Sequence, residues 1–180
     1  EWSPYHGAAY AVIEATARLV AAGANWSKAR FSYQEYFERM DKQAERFGQP
    51  VAALLGSIEA QIQLGLPSIG GKDSMSGTFE ELTVPPTLVA FGVTTADSRN
   101  VLSPEFKAVG ENIYYIPGHA LATEIDFDLI KKNFAQFEAL QKAHKVTAAS
   151  AVKYGGVLES LALATFGNHI GAEVTLPELE

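Results

Sequence analysis

Residues 64–93 read LGLPSIGGKDSMSGTFEELTVPPTLVAFGV, and the fold turns on how this stretch is parsed. At its centre, Gly70-Gly71-Lys72-Asp73-Ser74-Met75-Ser76-Gly77, flexible residues stand directly before a cation, an anion and two hydroxyls. Glycine lets backbone N–H groups approach an oxyanion with no Cβ in the way, and successive N–H groups in a turn form an anion-binding nest. Lysine adds a point charge for phosphate, serine hydroxyls can bond phosphate oxygens, and aspartate can hold Mg²⁺. Gly70, Gly71, Lys72, Asp73, Ser74 and Ser76 are therefore candidate nucleotide- or phosphate-binding residues. The same composition also suits a tight turn with solvated charges, and spacing alone leaves both readings open. The stretch is not a Walker A loop, which needs Ser or Thr where Asp73 stands, and it is not G-x-G-x-x-G.

Working outward, "LPSI" reads as a short strand leading into a glycine loop. Residues 78–86 are polar and then stopped by Pro85-Pro86, and residues 87–96, TLVAFGVTTA, form the clearest strand. Upstream, residues 8–22 are alanine-rich and predict a helix ended by Gly23. Glu14 and Arg18 share one face of it, as a surface ion pair or as a polar face toward a ligand. A second helix is predicted over 33–47, with Tyr33, Tyr36, Phe37, Met40, Ala44 and Phe47 as a core stripe at helical spacing. Ser32 would cap it, with Glu35 completing a capping box. Gln49-Pro50 reads as a break. A third helix follows over 51–63, with Val51, Leu54, Leu55, Ile58 and Ile62 turned inward and Gly65 at its end.

Downstream, residues 97–106, DSRNVLSPEF, have linker composition and suggest a domain boundary near residue 100. A strand at 113–116, a Pro-Gly turn, a helix over about 126–143 and a strand around 146–152 are expected. Then come Gly155-Gly156, a helix over 157–166 and a strand at 171–176. Glycines before a helix N-terminus can receive an anion, so Gly155 and Gly156 are a second candidate pair; a plain strand-to-helix turn explains them equally. Mixed α+β in two pieces, residues 1–100 and 101–180, is the resulting fold class.

The totals bound the function. Hydrophobic residues make up 47% and charged residues 19% of the 180, as in a globular protein. The net charge of -7 and the lack of a basic run argue against a nucleic-acid surface. No apolar run reaches about 18 residues, so no membrane partner is expected. There is no cysteine, which excludes disulfides and thiolate chemistry and fits a cytoplasmic location. His6, His119, His144 and His169 are scattered, without metal-binding spacing. The opening Glu1-Trp2-Ser3-Pro4 reads as a cut from a longer protein. The unpaired apolar strand at 87–96 suggests a homodimer. No catalytic residue can be assigned from spacing.

The stretch at 64–93 closely resembles the second synthetase half of the phosphoribosylformylglycinamidine (FGAM) synthase family. Ala24-Asn25-Trp26, then Lys72-Asp73-Ser74-Met75-Ser76, then Pro85-Pro86 and a strand follow that family's order, and the glycine pair at 155–156 comes next. The likeness runs over nearly the whole chain. It implies a PurM-like, that is aminoimidazole ribonucleotide (AIR) synthetase-like, fold: the later part of an N-terminal domain over 1–100 and the start of a C-terminal α/β domain over 101–180. It implies ATP/ADP and Mg²⁺ as cofactors in a purine-biosynthesis ligase. That enzyme converts formylglycinamide ribonucleotide to formylglycinamidine ribonucleotide with ammonia from glutamine. The missing synthetase and glutaminase domains would be partners, and this piece alone would be inactive. By the same resemblance Glu14 matches a metal ligand. Arg18, however, stands where the family has Asn, and Ala151 and Tyr154 replace acidic residues before the later glycines. Two other roles are compatible: a structural segment supporting the active half, or another enzyme of the AIR synthetase superfamily.

Overall fold

The computed structural model describes residues 3–118 and 124–175. Its helices are α1 (Pro4–Ala21), α2 (Ala44–Leu64), α3 (Phe127–Lys142) and α4 (Gly156–Phe166). Its strands are β1 (Arg30–Tyr36), β2 (Ser68–Ser74), β3 (Thr78–Phe79), β4 (Leu82–Thr83) and β5 (Thr87–Val93).

Helix α1 forms as its sequence dictates. Ser3 Oγ accepts from the His6 N–H, Pro4 opens the first turn, and Gly23 follows at φ +83°. Ala8, Ala9, Val12, Thr16 and Val20 are its buried stripe, and the Thr16 hydroxyl donates to the Val12 carbonyl at 2.7 Å.

The predicted helix over 33–47 is not formed. Residues 30–36 are strand β1, and α2 starts only at Ala44. Ser32 and Glu35 are thus strand residues, not a capping box. Phe31, Tyr33, Glu35 and Phe37 alternate onto the face covered by helices. A carboxylate at one of these inward positions hid the period-2 pattern, while the aromatics happened to suit a helical period as well.

Pro50 does not break the chain. It lies inside α2, buried, where it forfeits one backbone donor near the helix start. The buried face of α2 is Pro50, Ala53, Gly56, Ser57, Ala60 and Leu64, and the helix ends on Gly65 at φ +69°. Val51, Leu54, Leu55, Ile58 and Ile62, expected inward, are all exposed. Small residues were the ones required inward, because α1 and α2 pack at close range.

The sheet has the order β2-β1-β5. Central β1 runs parallel to β2 and antiparallel to β5, pairing Tyr33 with Gly71 on one side and Ala90 on the other. The stretch expected as a glycine loop is therefore strand β2, with a bulge opposite Phe31 and Ser32. Residues 78–83 add the small hairpin β3–β4.

Phe31, Val12, Val20, Ala60, Leu64 and Leu66 centre the main core. Ile130 and Phe134 of α3 join the same core, and Phe134 meets Trp26 edge-on at 5.4 Å. Helix α4 is tied instead to the segment before α3: the Phe106 N–H donates to the Ala164 carbonyl at 3.0 Å, and Asn168 Nδ2 to the Phe106 carbonyl at 2.8 Å. The strands expected at 113–116, 146–152 and 171–175 are irregular backbone; Leu176 lies outside the described residues, as does His119.

Candidate functional site

Strand β2 lies at a sheet edge, and its Gly70–Ser74 stretch runs opposite Ser32–Tyr36. The glycines serve the pairing. A Cβ on Gly71 would stand 2.8 Å from the Tyr33 carbonyl oxygen, so only glycine lets the two backbones meet here. Neither Gly70 nor Gly71 has positive φ, so the turn conformation of an anion nest is not formed at this pair.

Strand geometry also separates the charges. Successive side chains leave a strand on opposite faces. Lys72 shares the open face with Gln34 and Tyr36, its Nζ 5.7 Å from the Tyr36 ring centroid, a cation–π arrangement. It makes no ion pair among the described residues. Asp73 points the other way, beside Glu35, its partner in the register. Lys72 and Asp73 thus do not converge on one ligand.

Glu35 is the perturbed titratable group beside the site that sequence reading missed. It is buried, and its carboxyl is pushed up to about 7, first by loss of water and then by a side-chain hydrogen bond and charge repulsion from Asp73. Below about pH 7 the Glu35 carboxyl is therefore largely protonated, and its hydroxyl can donate to Asp73. The signal that would have found it is the alternation Phe31, Tyr33, Glu35, Phe37.

The segment leaving β2 is pinned by the end of β1. Phe37 N–H donates to the Ser74 carbonyl at 2.8 Å, Met40 N–H to the Met75 carbonyl at 3.2 Å, and Gly77 N–H to the Phe37 carbonyl at 2.9 Å. Ser76 then lines a shallow depression of about 420 Å³ with Thr78, Phe79, Leu82 and Val84.

The other candidates lie apart. Glu14 is held by Arg18 in an ion pair of 2.5 Å on the exposed face of α1. No group of three or more metal-ligating side chains occurs among the described residues. A Mg²⁺ site built on Glu14 therefore does not fit the groups present, since a guanidinium already neutralises the carboxylate. At the start of α4, Gly156 has φ +72° and the Gly155 N–H donates to Glu159 Oε2 at 3.1 Å. The helix N-terminus is thus served by an anion of its own chain. Gly155 and Gly156 belong to the part of the molecule built around α4 and Phe106, not to the sheet that carries β2.

No protein-family model matches the chain, and no curated protein matches its sequence. The fold itself, a mixed α/β arrangement with a small sheet, is one already seen in a solved structure. PurL of T. maritima, solved in complex with ATP, shares it with a TM-score of 0.62 over 90% of this chain at 18% sequence identity. The chain spans 26% of that PurL chain. Likeness at this identity establishes fold and leaves function to be argued from the site. Among the described residues, no helix is long and apolar enough to cross a membrane.

Proposed function

We propose that this chain is a segment of an FGAM synthase-type ligase, the ATP- and glutamine-dependent enzyme that makes formylglycinamidine ribonucleotide. The observation that carries this reading is the fold shared with ATP-bound PurL over 90% of the chain. The order of Ala24-Asn25-Trp26, Lys72-Asp73-Ser74-Met75-Ser76 and Pro85-Pro86 supports it. Residues 1–100 and 101–180 would belong to its N-terminal-type and C-terminal-type domains. Within that enzyme the open face of β2 is the phosphate-facing element. Lys72 supplies the charge, and Ser74 and Ser76, at and just beyond the strand's C-terminal end, supply hydroxyls. Asp73 stays with Glu35 and takes no part. ATP, when bound, supplies the phosphoryl group that activates the amide oxygen; this segment's contribution is to hold and neutralise phosphate.

A second reading is favoured by two specific contacts. Arg18 pairs with Glu14, the residue the resemblance assigns to a metal, and Glu159 accepts from the Gly155 N–H at the glycine pair offered for an anion. In that case the segment is a scaffold for the working half of the enzyme.

Calorimetric titration of the chain with ADP and ATP, with and without Mg²⁺, separates the two. The first reading expects binding that Mg²⁺ does not enhance and that Lys72→Ala weakens about tenfold, the loss of one charge-assisted contact. Circular dichroism of the variant controls for folding. Absence of binding in the parent chain supports the scaffold. Nucleotide binding unaffected by Lys72→Ala would remove β2 from the site. A companion variant, Arg18→Asn, frees Glu14 and is expected to make nucleotide affinity rise with Mg²⁺. Unchanged Mg²⁺ dependence would show that Arg18 does not stand in for the metal's charge.

A further inference from the structure

Helix α2 presents an uncovered apolar face. Phe47, Val51, Leu54, Leu55, Ile58 and Ile62 are 39–72% exposed. At about 100° per residue these six positions fall within roughly 100° of arc, a single stripe opposite the face packed on α1. Between Phe47 and Leu64 the helix carries one charge, Glu59, and its carboxylate accepts from the Tyr5 hydroxyl. The stripe thus has no charge to keep it in water. At roughly 200 Å² per large apolar side chain, these exposures leave on the order of 600 Å² uncovered, the upper end for a monomer's largest patch.

The stripe is also symmetric about its own centre. Reversing the helix about the midpoint between Leu54 and Leu55 exchanges Phe47 with Ile62, Val51 with Ile58, and Leu54 with Leu55. That is the requirement of a two-fold interface, in which one patch must complement itself. We infer that α2 pairs antiparallel with α2 of a second copy of this chain, Phe47 of each copy against Ile62 of the other. A shallow depression of about 410 Å³, lined by Ile58, Ile62, Leu66 and Pro67, lies where the partner's Phe47 ring would arrive. The two stripes together bury about 1,200 Å², the lower bound of a standard specific interface, and crossing at about 20° lets their ridges interlock. This surface is separate from the strand edge of β5 and does not depend on the ligase assignment.

The chain has no native cysteine, so register can be read by cross-linking. Mixing Val51→Cys with Ile58→Cys chains under oxidation is expected to give a disulfide-linked dimer far faster than either variant alone. Sedimentation across a dilution series is expected to show a dimer whose dissociation constant rises at least about 100-fold in Leu54→Glu/Leu55→Glu, while Phe91→Glu on β5 leaves it unchanged. Circular dichroism of the double variant separates lost association from lost folding. Three results would overturn the inference: a parent chain monomeric throughout, a dimer lost with Phe91→Glu but kept in the α2 variant, or cross-linking by Val51→Cys alone at the mixed rate.

Discussion

Gly56→Ala will cost the protein about 3 kcal/mol or more and shift its denaturation midpoint accordingly. Gly56 lies on the buried face of α2, where α1 crosses. A Cβ there would fall onto the Tyr5 carbonyl oxygen, 2.7 Å from the Tyr5 carbonyl carbon and 3.0 Å from its Cα. All three atoms are backbone, so no side chain can swing away; the two helices must part. Parting them loosens the contacts of Ala8, Ala53 and Ala60, each buried because the helices are close. Gly48, in the same helix, is the control. Nothing lies within 4 Å of the Cβ it lacks, so Gly48→Ala is expected to stabilise by about 0.5–1 kcal/mol through reduced backbone entropy of the unfolded chain. Urea denaturation of both variants checks the contrast. Equal effects of like sign would mean that helix propensity, not close approach, governs position 56.

Glu35→Gln is expected to flatten a pH dependence of about 3 kcal/mol. The Glu35 carboxyl is pushed from its ordinary 4.5 to about 7 in the folded protein. The folded state therefore binds this proton more tightly than the unfolded chain does. Stability from this source is complete below pH 4.5, falls as pH rises toward 7, and stays low above that. The interval corresponds to about 3 kcal/mol at most. Glutamine keeps the shape and remains neutral, so Glu35→Gln should be the more stable protein at pH 8 and near parity at pH 4. Asp73→Asn should recover a smaller part, because loss of water is the larger cause and Asp73 the lesser. Stabilities of parent and variants measured at matched pH values isolate this group from other carboxylates. A difference between parent and Glu35→Gln that does not change with pH would place the Glu35 carboxylate in water.

The pair also explains an architectural choice. Two carboxyls facing each other across β1 and β2 would repel if both ionised, and like charges directly opposite weaken a sheet. A proton kept on Glu35 up to about pH 7 reduces that penalty, and the strand stays docked with Lys72 held on the opposite, open face. Raising pH should loosen the edge strand first, a trend that amide exchange of residues 68–74 would follow.

Several elements were legible in the residues alone. Alanine density and a following glycine mark α1, the run TLVAFGV marks β5, and α3 (Phe127–Lys142) falls within the helix expected over about 126–143; the caps at Ser3 and Asp126 came only with the structure. These signals are local, and local propensity suffices where tertiary packing agrees with it. Residues 30–50 were misread because their signals conflict. The aromatics fit two periods, and Pro50 is a breaker that one lost hydrogen bond and burial of the ring allow. The apolar stripe of α2 pointed the wrong way, since apolarity does not say which partner will cover it.

For the candidate site, composition determined which groups are present: a lysine, an aspartate, hydroxyls and glycines in one stretch, with no thiol to do nucleophilic work. Only the tertiary structure decided what they can reach. Pairing with β1 drew Gly70–Ser74 into a strand, and a strand's two-residue alternation sent Lys72 to the open face and Asp73 toward Glu35. The burial that chiefly raises the Glu35 carboxyl to about 7 is a product of packing, and Asp73, which adds to it, lies far along the chain; the register that brings the two together is a long-range fact that no local window of residues contains.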